Sequence, residues 1–163
     1  MSVRKKSAAN WSTQEAHRIA GITYRQLDYW IRTGLIKPTM KAKGHGSKHG
    51  FSYRDLVAVR AIAALKETGV SLQAVRRVQS ALIEFDGDDN ALRAGRLIIE
   101  GGTNKPDVAI ACSDDEVLSL LKRPGQHQMR TVFEMARVYD DVREAISSLE
   151  INRSKSEQLR RAG

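Results

Sequence analysis

The sequence has little of what membrane proteins and disulfide-bonded secreted proteins require. Its 163 residues include one cysteine, Cys112, which cannot form an intrachain disulfide and fits a reducing cytoplasm. No stretch approaches the roughly 18 consecutive apolar residues of a membrane-spanning helix. The basic N-terminus, MSVRKKSAANW, also lacks the apolar segment of a signal peptide. We therefore expect a cytoplasmic protein that contacts no membrane.

Arrangements typical of metal sites and catalytic sites are also missing. His45 and His49 lie on a glycine-rich segment, and no CxxC or HExxH spacing supports them as metal ligands. The acidic run at 114–116 falls in the first turn of a predicted helix, where carboxylates interact favourably with the helix dipole. We predict no catalytic residues, no metal and no cofactor, so an enzyme is the least favoured class.

Charge is abundant but unevenly distributed along the chain. The net charge of +8 divides into +10 over residues 1–85, from 15 basic and 5 acidic residues, and −2 over residues 86–163, from 12 and 14. A basic half joined to a mildly acidic half suggests a polyanion-binding module attached to a second domain. Charge alone does not separate nucleic acid from an anionic membrane surface.

Two short helices with clear capping signals open the basic half. The segments STQE (12–15) and TYRQ (23–26) are capping boxes, and each predicts a helix that runs almost to the next glycine. These glycines, Gly21 and Gly34, are natural helix stops. Two helices separated by three residues around a glycine predict a helix-turn-helix.

The second helix has a polar face that packing does not require. Leu27 and Ile31 lie four residues apart and are expected to face the core, with Trp30 and Tyr24 beside them. The outward stripe then consists of Arg25, Tyr29 and Arg32. Guanidinium groups bind phosphates or guanine edges, and tyrosine hydroxyls donate to phosphates. Although charged helix faces are usually only solvated, this one belongs to a helix-turn-helix in a basic half, which favours DNA.

A basic loop and two further helices complete this half. Residues 37–51 contain four lysines, two histidines, three glycines and no acid. Ser52 and Ser71 are predicted to cap helices over residues 53–68 and 72–85.

The second half has a different pattern, beginning after the polar segment DGDDN. Apolar runs around a glycine-rich turn predict a β-hairpin, SDDE predicts a capped helix, and a later apolar run predicts another strand. An amphipathic helix follows, and its end is expected to be a polar, frayed tail. The corresponding segments are 96–100, 107–112, 113–121, 128–134 and the stripe Val138, Val142, Ala145 and Leu149.

The segment GITYRQLDYWIRTGLIKP resembles the second-helix signature of MerR-family transcription regulators, G-V-S-x-R-T-L-R-Y-Y-x-R-x-G-L-L. GFSYRDL resembles the end of that family's wing, and ETGVSLQAV resembles its G-[FV]-S-L-x-x-[IV] step. The likeness covers residues 11–85. Two departures are Asp28, where the family has arginine, and Trp30, where it has tyrosine.

The resemblance implies a winged helix-turn-helix in which residues 37–51 form a β-hairpin wing. It places the second helix in the major groove and the wing lysines on phosphates. An acid at Asp28 is compatible with this if it pairs with Arg25 or Arg32, or accepts from a cytosine amine. The candidate DNA-binding residues are Thr23, Tyr24, Arg25, Tyr29, Arg32, Lys41, Lys43, Lys48, His49 and Arg54.

The second half more loosely resembles the C-terminal region of an actinobacterial MerR-like subgroup. We predict a mainly α protein with small β elements, in which the winged helix-turn-helix precedes a small C-terminal α+β domain. Its predicted parts are a basic arm (1–10), the DNA-binding domain (11–85), a linker (86–91), the α+β domain (92–150) and a polar tail (151–163).

The predicted function is regulation of transcription by a nucleoid-associated homodimer bound to double-stranded DNA. One alternative is an excisionase-like or architectural factor of a mobile element. Another makes the C-terminal half a protein-interaction module that recruits RNA polymerase or a sigma factor, with DNA only as an anchor.

Overall fold

A computed structural model of the protein describes residues 11–44, 48–76, 95–100, 107–111, 113–121 and 130–162. The chain forms two compact units. The first contains residues 1–60 and 140–163, and the second contains residues 61–139. The described part is mainly helical with short antiparallel strands, which confirms the predicted fold class.

The first unit begins with the two predicted helices. Helix α1 spans Thr13–Ile19 and helix α2 spans Tyr24–Arg32. Both predicted capping boxes are present, so the amide of each capping residue and the amide three residues later have side-chain partners. Gly21 and Gly34 end these helices with φ of +69° and +73°, a conformation that glycine adopts without steric cost.

A minimal sheet lies beside these helices. Strand β1 (Trp11–Ser12) pairs antiparallel with strand β2 (Gly50–Phe51). Gly50 also exchanges both backbone hydrogen bonds with Met40, at 3.0 and 2.9 Å. The two chain segments of the predicted wing are therefore joined at its base by one antiparallel bridge. The pairing of the wing with residues before α1 is a feature that the sequence patterns did not predict.

The core side of α2 differs from the prediction in one turn. Leu27 and Trp30 are the buried residues, at 0% and 2% exposure, while Ile31 is half-buried and Tyr24 is 46% exposed. The predicted order of burial is therefore wrong, because Trp30, expected beside the core face, lies at its centre with Leu27, and Ile31 is only partly buried. Trp30 is the larger apolar side chain, and i, i+3 spacing places it on the same helix face as Leu27.

Helix α3 spans Tyr53–Glu67, beginning in the first unit and ending in the second. Its N-terminus is capped by Ser52, whose Oγ accepts from the amide of Asp55 at 3.3 Å. Gly69 follows the helix with φ of +85°. A further helical segment covers residues 72–76, where Ser71 Oγ accepts from the amide of Ala74. The predicted continuation to residue 85 lies outside the described residues.

The second unit contains a three-stranded antiparallel sheet with strand order β4-β3-β5. The strands are β3 (Arg96–Glu100), β4 (Asp107–Ala111) and β5 (Arg130–Glu134), which confirms the predicted hairpin and additional strand. Helix α4 (Asp114–Leu121) has the predicted capping box, and its Val117 lies in one apolar cluster with Ile98 of β3.

Arg96 of β3 also ties this helix to the sheet. It donates to Asp114 of α4, and this hydrogen bond raises the pKa of Arg96. Glu134, its register partner on β5, lies 3.6 Å from its Nε. The Arg96–Asp114 pair therefore joins the start of α4 to the first residue of the central strand, β3.

The last helix, α5, spans Met135–Ala162 as one continuous element of 28 residues. The expectation of a frayed tail from residue 151 is therefore wrong, although every side chain from 150 to 162 is exposed, as its polarity predicted. Val138 and Val142 of the predicted apolar stripe are buried, whereas Ala145 and Leu149 are half-buried.

In the division into compact units, residues 140–150 cluster with residues 1–60, and the predicted domain bounds stay predictions. The predicted linker, 86–91, lies outside the described residues and stays a prediction. Among the described residues, no helix combines the length and apolarity needed to cross a bilayer.

Candidate nucleic-acid interface

The outward face of α2 contains the three residues that were predicted to form a polar stripe along it. Arg25 and Tyr29 are exposed, Tyr29 by 49%, and the Arg32 side chain is 68% exposed. Arg25 has no ion-pair partner in the part of the chain that the structure describes. Tyr24 extends this face toward the helix N-terminus. The face thus offers two guanidinium groups and two phenol hydroxyls to solvent.

Asp28 lies within this face and is paired. Its Oδ2 is 2.8 Å from a terminal nitrogen of Arg32, one turn later on the helix. Of the three options for this acid, the structure therefore contains the pair with Arg32. Because both side chains are substantially exposed, the pair is expected to contribute only about 0–1 kcal/mol to stability. It orients Arg32 along the helix surface and neutralises part of the charge of the face.

The wing lysines Lys41, Lys43 and Lys48 are all exposed. His49 is half-buried, and its Nδ1 accepts from the backbone amide of Ala42 at 3.2 Å. With Nδ1 as an acceptor, the neutral ring carries its proton on Nε2. His49 therefore connects the two sides of the wing, a role that the sequence analysis did not assign to it.

The base of the wing is anchored by a residue that sequence reasoning missed. Asp55 Oδ2 accepts from the amide of Thr39 at 2.8 Å and from the amide of Ser52 at 2.9 Å. Thr39 Oγ1 also donates to Ser52 Oγ at 3.0 Å. The signal for this cluster was present in SYRD, a capping box with aspartate in the fourth position. Asp55 thus joins the wing to the start of α3.

The two remaining candidates lie at helix N-termini. Thr23 is exposed, but its Oγ1 accepts from the amide of Gln26 and donates to Gln26 Oε1, so its hydroxyl serves as the cap of α2. Arg54 is exposed in the first turn of α3. His45, considered above as a metal ligand, and Cys112 lie outside the described residues.

Two capped helices joined by a short turn at residues 20–23, with a basic bridged loop after the second, define a helix-turn-helix domain of the winged type. Residues 12–82 match the model of the MerR HTH family regulatory proteins. The chain thus contains a MerR-family helix-turn-helix domain in its N-terminal half.

Proteins named as transcriptional regulators are similar to a segment of this chain. A segment of 62 residues is 47% identical to a protein of Mycobacterium bovis and to proteins of two strains of Mycobacterium tuberculosis, each named as an HTH-type transcriptional regulator. The match covers 37% of this chain and 28% of each relative. The chain therefore aligns with little more than a quarter of the relatives' length.

Proposed function

We propose that this protein regulates transcription by binding double-stranded DNA, with α2 in the major groove and the wing on adjacent phosphates. The observation that carries the proposal is the exposed face of α2. Three hydrogen-bonding side chains, Arg25, Tyr29 and Arg32, follow one another on a helix whose opposite side is fixed by Leu27 and Trp30. A helix anchored in this way meets a groove as a rigid element.

Different parts of this surface have different roles in the proposal. Arg25 reads a base edge, because its guanidinium is exposed and has no ion-pair partner among the described residues. Arg32 and the tyrosines contact phosphates, which set position but read no sequence. The lysines Lys41, Lys43 and Lys48 are exposed on a loop anchored by Asp55, and so they form a phosphate clamp beside the helix.

The protein acts as a homodimer in this proposal, through the outer half of α5. A series of positions at alternating intervals of four and three runs along α5 from Val138 to Leu159. Val138 and Val142 are buried in the chain's own fold and Ala145 and Leu149 are half-buried, whereas positions 152 and 156 are polar. The outermost member of the series, Leu159, is 76% exposed, and Ile151 is 55% exposed. Exposed aliphatic side chains on an extended helix suit a partner helix of the same kind.

DNA binding gives a physical reason for the protein to form a dimer. A single module buries roughly 600–1,000 Å² on DNA, so affinity at physiological salt usually requires two. A closed two-fold dimer presents two recognition helices to an inverted repeat with half-sites about one helical turn apart. In this proposal the bound dimer distorts promoter DNA, and the distortion activates or represses transcription.

The proposal is tested by selecting bound duplexes from a random DNA pool with the full-length protein. An inverted repeat with a defined half-site is the expected result. Selection of no sequence overturns specific regulation, and many closely spaced sites filled cooperatively indicate an architectural factor instead. A protein that retains no DNA at all overturns the proposal as a whole.

A further inference from the structure

The glycine turn between α1 and α2 involves a polar residue at a position where the turns after α2 and α3 have apolar residues. Helices α1, α2 and α3 each end in a glycine with positive φ, and the residue after the glycine donates its amide back to a carbonyl five residues earlier. For α2 and α3 the paired residues are Trp30 with Leu35, at 2.9 Å, and Leu65 with Val70, at 3.2 Å. Both pairs are apolar, as is usual for this motif.

For α1 the same pair is His17 and Ile22. The Ile22 amide donates to the His17 carbonyl at 3.0 Å. The His17 side chain then returns to the same residue, with Nδ1 at 3.0 Å from the Ile22 carbonyl oxygen. Because a carbonyl only accepts, the imidazole must hold a proton on Nδ1. Both backbone polar groups of Ile22 are thus bonded to His17.

The imidazole also contacts the recognition helix itself. Its ring meets the ring of Tyr24 edge to face, with centroids 5.9 Å apart and planes at 90°. Tyr24 is the first residue of α2, and it follows Ile22 and the capping residue Thr23. Nε2 lies 3.3 Å from Gln14 Oε1, one turn earlier on α1. His17 therefore fixes the peptide before the helix cap and the aromatic ring just after it.

We propose that His17 is a positioning residue for DNA recognition, which sets the entry of α2 and the direction of the Tyr24 ring. This inference rests on the proposed function, because it concerns how α2 meets the groove. An apolar residue at this position fills space but leaves the Ile22 carbonyl without a side-chain donor. The imidazole supplies the donor and the aromatic edge together. Because Gly21 and Thr23 of this turn are exposed, packing against the core does not fix the start of α2. The contacts of His17 fix it instead.

The chain offers two variants that separate the contacts. His17→Phe keeps an aromatic ring against Tyr24 but removes the donor, whereas His17→Asn keeps an amide donor near the place of Nδ1 and removes the ring. Gln14→Ala is the matched control, because it removes only the contact at Nε2. All variants are made in the full-length protein, and their thermal midpoints are measured alongside binding.

The DNA measurement compares a duplex selected by the wild-type protein with a random-sequence duplex of equal length. His17→Phe is expected to weaken binding to the selected duplex by roughly three- to tenfold, the usual effect of removing one hydrogen bond, and to leave random DNA unchanged. His17→Asn is expected to restore part of the affinity. Equal weakening on both duplexes, or none on the selected one, overturns the positioning role.

A second measurement needs no DNA. In NMR spectra of the free protein, His17→Asn is expected to shift the ring-proton resonances of Tyr24 by removing the imidazole ring current, whereas Gln14→Ala is expected to leave them in place. Unchanged Tyr24 resonances in His17→Asn overturn the contact, whatever the DNA results. If the wild-type protein binds no DNA while His17→Asn still shifts the Tyr24 resonances, the proposed function and the recognition role are refuted and the contact is confirmed.

Discussion

Two exposed helical faces of the first unit differ in the kind of large side chain that they present to water. The face of α2 exposes tyrosines, Tyr24 by 46% and Tyr29 by 49%, whereas the outer half of α5 exposes Ile151 by 55% and Leu159 by 76%. A phenol keeps a hydroxyl for water or a phosphate, but an aliphatic side chain has no polar atom. Similar exposure therefore indicates different binding partners on the two helices, because only the tyrosines offer a polar atom.

Charge separates the two faces further. On α2 the one acid of the helix, Asp28, is paired with Arg32, which leaves Arg25 as the cation without an ion-pair partner among the described residues. On α5 two acids and four bases are interspersed through residues 150–161, and the exposed aliphatic residues lie between them. A face with cations and phenols suits a polyanion, and a mixed face around aliphatic residues suits another protein helix. Four predictions test this contrast.

The largest effect is expected from placing a charge on the aliphatic face. Leu159→Asp should convert the dimer to a monomer, because the carboxylate would be buried without a partner in the proposed contact between two α5 helices. Operator affinity should then fall by about 100-fold or more, since the two half-sites no longer bind as one unit. Sedimentation velocity and a band-shift titration measure the two changes.

Ser154→Asp, an exposed position on another side of α5, is the matched control and should leave both properties unchanged. A variant at Leu159 that remains dimeric would remove α5 from the dimer interface. Deleting residues 86–163 is a poorer test, because residues 140–163 belong to the same compact unit as the helix-turn-helix.

The next effect concerns the face of α2. Arg25→Ala should weaken binding to the selected operator by about 1–3 kcal/mol if the guanidinium reads a base edge, and should hardly change the thermal midpoint. Arg137→Ala is the control, since its side chain is 86% exposed on a different unit. Normal operator binding by Arg25→Ala refutes the assignment, and a steep fall in the midpoint shows a structural role instead.

The sequence predicted most accurately those features that depend on neighbouring residues. Capping boxes and glycine stops placed α1 and α2 within one or two residues, because each signal is complete within four residues. The pairing of Trp11–Ser12 with Gly50–Phe51 was not predictable, because strands of two residues have no periodicity and depend on a distant partner.

Two predictions were wrong for physical reasons. Spacings of three and four both follow a helix face, so Leu27 and Ile31 were expected at the centre of the core face with Trp30 beside them, although size favours burial of the indole. The end of α5 was expected to fray because it is polar, but its arginines, lysine, glutamate and glutamine are good helix formers. Polarity predicted its exposure correctly and its conformation incorrectly.

A smaller effect per residue is expected from the wing. Replacing Lys41, Lys43 and Lys48 by alanine should weaken binding to all sequences alike, because phosphates carry no base identity. The slope of log affinity against log salt should flatten by about 0.9 for each phosphate that the wing no longer neutralises. A control that replaces Lys66, Arg137 and Lys155 removes the same charge elsewhere. An unchanged slope, or weaker binding at one operator alone, would contradict the phosphate clamp.

The smallest effect is expected at Asp28, the one acidic residue on the otherwise basic face of α2. Asp28→Asn removes the acid and releases Arg32 from its 2.8 Å pair. Because exposed pairs contribute about 0–1 kcal/mol, the thermal midpoint should move little, and affinity for all DNA should rise about two- to threefold as repulsion of phosphate disappears. If affinity instead falls by about 1–3 kcal/mol only for operators with a cytosine at one position, Asp28 accepts from that base's amine. Selection with the variant would then show relaxed preference at that position.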